Sequence, residues 1–521
     1  MAEEGIAPIA LAAARRTLDV GGRAATVYCL SGPAGQGLIL DPGQRFRVDL
    51  SNDLDVPTII HWHVQIPPNI QDGVPDMPQP LLAPGEMRPF DFVARPGTHW
   101  MHSHVPEQEM QRLAAPLIVR RPEDLTADRQ EVVMFLHDFS FKSPAEVLAE
   151  IAGDQAGAHV AGHGSGSAPA GGMAGMHGNR QGGQCDTSIG GMAGHGGMAM
   201  DLNDYAWDAY LANDRTLADP EVVQVERGGR VRLRVINAAA ATVFWIDTGA
   251  APAQLVAVDG EEIQPVPGNR FGLAMGQRLD LEIDLPPEGG AWPILALREG
   301  ERERTGLILA TAGAEVQRID SLSENAAPAF DTDLSQEAQL VARSPLAARA
   351  FERSHILMLG GSMMPYRWTI DGAVWGQHQP VAARSGERVV LFFHNMSMMG
   401  HPMHLHGHSF QVAGLNGRGM AGAMRDTVYV PSMSMVDVAL DAALPLHAAS
   451  CDRHDDGARR FGLRSRLAGR PNPSPRPVSP PPWPAIASLA RERPDTWSMA
   501  RSTRCMERQR ASEPQGTPSA A

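Results

Sequence analysis

The most regular feature of the chain is a phrase of alternating apolar and polar positions that occurs three times. Its copies are Gly43-Gln44-Arg45-Phe46-Arg47-Val48-Asp49-Leu50-Ser51-Asn52, Gly228-Gly229-Arg230-Val231-Arg232-Leu233-Arg234-Val235-Ile236-Asn237 and Gly386-Glu387-Arg388-Val389-Val390-Leu391-Phe392-Phe393-His394-Asn395. Gly, Arg and Asn hold the same offsets in all three, and apolar residues fall at every second position between them. A period of two describes a strand with one buried face, and the leading Gly a turn. One such phrase would suit any strand after a turn, but three copies with three fixed residues predict three related β-sandwich domains. Further strands are expected at residues 89–94, 279–284 and 435–440, and short buried ones at 115–119 and 305–310. Helical periodicity is scarce, and residues 143–151 carry the best of it.

Counting onward from each Asn brings in the chemistry. Nine residues after Asn52 stands His61, in His61-Trp62-His63, and nine after Asn395 stands His404, in His404-Leu405-His406. The same step from Asn237 reaches Ile246, with Thr248 two further on. A third pair, His102-Ser103-His104, follows Gly97-Thr98-His99-Trp100-Met101. Residues i and i+2 of a strand share a face, so each pair presents two imidazoles side by side, and six could converge on a small metal cluster. Imidazole suits copper, zinc, iron or nickel. A lone His-x-His is usually two ordinary histidines; three pairs, two of them in register with an internal repeat, point to metal.

The longer motifs narrow the choice. His61-Trp62-His63 with Pro67-Pro68 and Gln71-Asp72-Gly73-Val74-Pro75-Asp76, then Thr98-His99-Trp100-Met101-His102-Ser103-His104, then His401-Pro402-Met403-His404-Leu405-His406-Gly407-His408 resemble copper motifs of multicopper oxidases of the laccase and bacterial copper-resistance type. The resemblance runs over about residues 41–442. It implies an all-β chain of three cupredoxin-like Greek-key β-sandwich domains with a disordered C-terminal tail. The ranges expected are 1–150 for the first domain, 151–204 for a Met/His/Gly-rich linker, 205–325 for a second domain without copper ligands, 326–443 for an incomplete third, and 444–521 for the tail. By the same resemblance His61 and His404 bind a type 2 copper, and His63, His102, His104 and His406 a type 3 pair. His401 is one ligand of a type 1 copper, and Asp72 is a neighbouring acid that helps move protons to oxygen. Read on its own, Asp72-Gly73 is equally a turn. The implied activity takes electrons singly from Cu(I) or a small phenolic donor and reduces dioxygen to water, with a place in copper resistance.

The family's fourth motif, His-Cys-His followed by His and Met, is due just after residue 441. The sequence there is Ala442-Ala443-Leu444-Pro445-Leu446-His447-Ala448-Ala449-Ser450-Cys451-Asp452-Arg453-His454, and no Met follows before Met499. A type 1 copper takes a Cys thiolate, two His and a weak axial Met. As written, that site has His401 and no sulfur, so the expected copper complement is type 2 and type 3 with the type 1 site incomplete. From about residue 444 the chain turns rich in Arg, Pro, Ser and Ala, a composition that builds no core. Two accounts stay open: a frameshift after about residue 442, or the natural extension of a diverged, redox-inactive copper-binding protein. The other two reading frames of the gene separate them.

Composition adds limits. With 521 residues, 43% of them hydrophobic, the chain can fill several cores. A formal net charge of -14 disfavours nucleic acid as a partner. The four cysteines (Cys29, Cys185, Cys451 and Cys505) lie far apart and form no CxxC, which excludes a disulfide framework and a zinc site. No apolar run approaches the roughly 20 residues of a membrane span. The acidic start, Met1-Ala2-Glu3-Glu4, followed by a short apolar stretch and then Arg15-Arg16, is the reverse of a signal peptide. A periplasmic location is expected from the resemblance, a cytoplasmic one otherwise. Residues 152–200 hold His159, His163, Met173, Met176, His177, Met192, His195, Met198 and Met200 among Gly and Ala. That segment suits a flexible linker or, since thioether sulfur favours it, a loop for Cu(I).

Overall fold

The computed structural model describes residues 7–75, 78–154, 202–203, 205–363, 366–374, 377, 381–442 and 447–450. Nearly all of the expected Met/His/Gly-rich linker, and the expected tail beyond residue 450, lie outside the described residues; the start of that tail is not disordered as expected, because His447–Ser450 is a strand antiparallel to His401–His406. What is described is almost wholly β, in sheets that pack in pairs along the sequence. In the first pair, a sheet holding Ile9–Val20, Arg23–Gly32, Arg45–Asn52 and Met87–Val93 faces one holding Leu38–Leu40, Ala114–Val119, Gly97–Ser103 and Ile60–His63. Phe46, Leu50, Trp62, Met101 and Leu117 fill the space between them. Leu233, Phe244, Leu281 and Leu307 fill the second pair, and Leu391, Met403, Leu405, Val428 and Val438 the third. The strand Gln130–Phe139 falls inside the range expected for the first domain, yet it pairs with Arg230–Asn237 and Ala209–Ala212, in the second pair of sheets. The helical pattern is the helix Pro144–Asp154.

The repeated phrase is one strand used three times. Each copy, Arg45–Asn52, Arg230–Asn237 and Arg388–Asn395, has a parallel neighbour on one side and an antiparallel one on the other. The fixed residues have fixed tasks. The glycines Gly43, Gly228 and Gly386 turn the chain at φ +78°, +63° and +87°, a region that L side chains avoid. The arginines pair across the sheet, Arg45 with Asp91 at 2.7 Å, Arg230 with Asp284 at 2.8 Å and Arg388 with Asp441 at 2.7 Å. The asparagines pin the loop that leads to the next strand. Asn52 donates to Leu82 O and Val56 O and accepts from Leu54 N; Asn237 does the same with Thr242 O, Leu273 O and Ala239 N; Asn395 with Met399 O, Val430 O and Ser397 N.

All three asparagines are buried, so truncation leaves donors and acceptors without water or partner. Asn237→Ala, in the strand copy that leads to no histidine pair, is therefore expected to cost about 2–4 kcal/mol of stability from the partners it strands. Thermal unfolding of the metal-free chain measures this. A loss below about 0.5 kcal/mol, the range of ordinary surface changes, would mean that the repeated Asn is not a structural pin.

Candidate metal centre

The loops held by Asn52 and Asn395 feed the two strands that carry histidine pairs. Ile60–His63 supplies His61 and His63, and His401–His406 supplies His404 and His406. Gly97–Ser103 lies antiparallel to the first, with His61 opposite His102, and His104 follows it directly. The alternation of strand faces puts Met403 and Leu405 into a core and turns His404 and His406 the other way. In the second pair of sheets the equivalent strand, Phe244–Asp247, sends Ile246 into the core, and Thr248 bonds Ala251 O. The six imidazoles meet as a single cluster, with neighbouring ring centroids 3.9–6.0 Å apart. Two overlapping triads, His61 with His63 and His404, and His61 with Asp72 and His406, bring their ligand atoms within 4.8 Å of one another.

Five of the six rings are oriented from outside the cluster. His61 Nδ1 faces Asp72 O at 2.7 Å, and His404 Nδ1 faces Asp426 O at 2.9 Å. His406 Nδ1 faces Asp72 Oδ2 at 3.0 Å, and His102 Nδ1 meets the Glu109 carboxylate. With the tautomers these partners imply, Nδ1–H donates outward and Nε2 keeps its lone pair inward. His63 is reversed: its Nε2 lies 3.2 Å from both Asp426 Oδ1 and Thr427 Oγ1, and its Nδ1 lies 3.3 Å from His102 Nε2. His104 Nε2 and His406 Nε2 lie 3.2 Å apart. His61 Nε2 and His404 Nε2 are buried and have no hydrogen-bond partner.

Burial drives the electrostatics. It lowers the histidines, and the crowding of neighbouring rings adds to it: His104 and His406 fall to about 3, and His61 and His63 well below their usual range. All four are thus neutral at pH 7. Burial alone would raise Asp72, but the pull of His61 and His406 outweighs it and holds the carboxyl well below its ordinary value. Asp426 is likewise held low against burial, first by the Arg278 guanidinium. Neutral imidazoles beside ionised carboxylates are the state in which a site can take up a cation.

Asp72 reaches the cluster through a tight turn after the short helix Asn69–Gln71. Gly73 follows at φ +86°, and a Cβ there would sit 1.9 Å from Ile60 O and 2.8 Å from His61 Cα. The turn reading of Asp72-Gly73 is met, and the turn aims the carboxylate at the cluster. Gly73→Ala is expected to push the turn off the strand Ile60–His63 and to weaken metal binding at His61. Titration with Cu(II) tests it, and parental affinity would show that the turn yields without moving either residue.

His401 stands apart. It is buried at the start of its strand, where its Nε2 meets Ser397 Oγ at 2.6 Å and its ring packs 5.0 Å from Trp368. The sequence reasoning missed Glu109, Asp426 and Thr427. Glu109 had a faint signal, an acidic stretch directly after the second His pair. Asp426, far along the chain from His404, had none.

Three models of the family described as "Multicopper oxidase" match residues 21–124, 186–315 and 350–446. A curated relative, "Multicopper oxidase MmcO" of Mycobacterium tuberculosis, is 30% identical over 436 residues, spanning 82% of this chain and 79% of the relative. The chain belongs to the multicopper oxidase family. "Copper resistance protein A homolog" of Pseudomonas syringae pv. tomato is 26% identical over 75% of this chain and 80% of that protein. Among solved structures, that of Fet3p, "a Multicopper Oxidase that Functions in Iron Import", superposes with a TM-score of 0.66 at 13% identity, covering 86% of this chain and 88% of that one. A multicopper oxidase from Pseudomonas Thermotolerans gives 0.60 at 22% identity, covering 86% and 96%. These likenesses carry the all-β cupredoxin-like fold. Copper is the cofactor of the multicopper oxidases, which are oxidoreductases with oxygen as acceptor, and among the described residues no helix is long and apolar enough to cross a membrane.

Proposed function

We propose that the histidine cluster holds copper and that the chain uses it to couple the one-electron oxidation of Cu(I) or a small phenolic donor to the reduction of dioxygen to water. The observation that carries this is the pair of buried, unpartnered Nε2 atoms on His61 and His404, two imidazoles whose Nδ1 atoms are already engaged. A buried donor atom without a partner costs free energy unless a ligand takes it. Imidazole nitrogen is a good copper ligand, so the donor set fits. His61 and His404 hold the type 2 position, and His63, His102, His104 and His406 the type 3 pair. Bound copper supplies the one-electron chemistry. The chain's own part is to exclude water, to fix the rings and to manage protons. Asp72 accepts the Nδ1–H of His406 through Oδ2, while its Oδ1 has no hydrogen bond, so it can take up and pass on a proton beside the cluster. Resemblance to copper-resistance proteins supports a periplasmic role in handling copper.

The type 1 position does not fit. The residues after 441 bring no His-Cys-His, so His401 has no sulfur ligand beside it. This favours a second reading, a copper-binding chain that does not turn over. The visible spectrum of the copper-loaded chain, with metal content on the same sample, separates them. An intense blue band means a cysteine-ligated copper and an oxidase. Bound copper with no blue band means the second reading, and no bound copper removes both.

A further inference from the structure

The second pair of sheets gives the cluster no histidine, yet one of its side chains reaches it. Arg278, at the start of the strand Arg278–Asp284, is fully buried. All five of its N–H groups have acceptors. Nε donates to Thr98 O at 3.1 Å, Nη1 to Gly276 O and Asp426 Oδ1 at 2.9 Å each, and Nη2 to Asp259 O at 3.0 Å and to Asp426 Oδ2. Those acceptors come from all three pairs of sheets: Thr98 from the strand that leads to His102, Asp259 and Gly276 from the second, Asp426 from the third. Asp426 then spends its remaining capacity on the cluster, with Oδ1 at His63 Nε2 and its backbone carbonyl at His404 Nδ1. Behind Arg278 the ladder continues. Asp259 accepts from Arg278 N at 3.0 Å and Arg425 Nη1 at 2.9 Å, and Glu337 pairs with Arg425 at 2.8 Å.

We propose that Arg278 is a positioning residue of the metal centre: by clamping both carboxylate oxygens of Asp426 it decides which nitrogen of His63 and of His404 faces the metal. His63 is the ring whose Nε2 points outward, held by Asp426 Oδ1 and by Thr427 Oγ1, which itself donates to Asp426 Oδ1 at 2.8 Å. A guanidinium is needed because only a planar fork meets a carboxylate with two parallel bonds while keeping donors for three backbone carbonyls. A second buried ladder shows what a purely structural clamp looks like. Arg234 binds Asp280 at 2.9 Å and Thr98 Oγ1 at 3.0 Å, joins the first two pairs of sheets, and touches no histidine of the cluster.

The inference rests on the reading that the cluster binds copper, and the test separates the two. The whole chain is titrated with Cu(II), the electron paramagnetic resonance spectrum of the type 2 copper is recorded, and unfolding of the metal-free chain is followed in parallel. Arg278→Lys keeps the charge but loses the fork. It is expected to weaken copper binding by about 10–100-fold, the usual effect of losing an orienting partner, and to shift the type 2 hyperfine splitting. Arg234→Met is expected to lower metal-free stability and leave the spectrum unchanged. Should Arg278→Lys not fold, Asp426→Asn, which keeps shape and loses the charge pairing, is held to the same two criteria. Parental affinity and an unshifted spectrum overturn the positioning role. A parental chain that takes up no copper overturns the copper reading itself.

Discussion

Replacing His61 and His404 together by alanine abolishes the type 2 copper signal and lowers the copper content, and the metal-free chain gives up part of its stability. The expectation follows from the two unpartnered Nε2 atoms. Each ring is fixed by a backbone carbonyl, of Asp72 or Asp426, so each lone pair is aimed before any metal arrives. Losing both donors costs more affinity than the roughly 10–100-fold of losing an orienting partner. Removing both buried rings also strands the carbonyls of Asp72 and Asp426 and leaves two cavities, so the metal-free variant is expected to unfold more easily than its parent. Metal analysis, paramagnetic resonance and thermal unfolding of parent and variant give the answer together. A surviving type 2 signal in the double variant would place that copper on other residues.

The metal-free chain loses stability steeply on mild acidification. His99, His104 and His406 are held at about 3 by burial, and His61 and His63 lie well below their usual value. Between the unfolded value near 6.5 and these folded values, the unfolded chain binds protons that the folded chain refuses, so stability falls as pH falls. Carboxyls raised by burial oppose this: Glu299 is lifted to about 7 and Asp331 to about 6, Asp259 and Asp437 also lie above their ordinary value, and their contribution is lost as pH rises through the folded values. Asp72, held low, does not change charge in this window. The five histidines outnumber these carboxyls, so the net slope keeps the histidines' sign, at about 1.4 kcal/mol per pH unit for each proton of difference. Unfolding midpoints from pH 8 to 4 measure it. A flat profile would mean that the histidines are already protonated in the folded chain.

How much of this was legible depended on distance along the chain. The repeat announced three strands, and its Asn, Arg and Gly have three local tasks that any copy needs. The three His-x-His pairs were legible because strand alternation fixes the face of i and i+2 whatever lies around them. By the same count Ile246 and Thr248 marked the second pair of sheets as lacking a His-x-His at the equivalent place. What the sequence did not disclose was non-local. Asp426 orients His63 across 363 residues, and Arg278 reaches Asp426 across 148. The strand Gln130–Phe139 joins the second pair of sheets because of its partners, which its own alternation does not name. Val64, directly after His63, sits at φ +69°, a conformation that no rule would choose for a β-branched residue.

A site divided between the first and third pairs of sheets also has a history. His104 and His406 are 302 residues apart, so at about 5–20 residues per second of synthesis the first waits roughly 15–60 s for the second. Through that interval His61, His63, His102 and His104 form a four-imidazole half-site with no partner strand, open to whichever divalent ion is most abundant nearby. Correct metallation is therefore a question of timing as well as affinity, and a chain made where zinc is plentiful and copper scarce risks closing over the wrong metal.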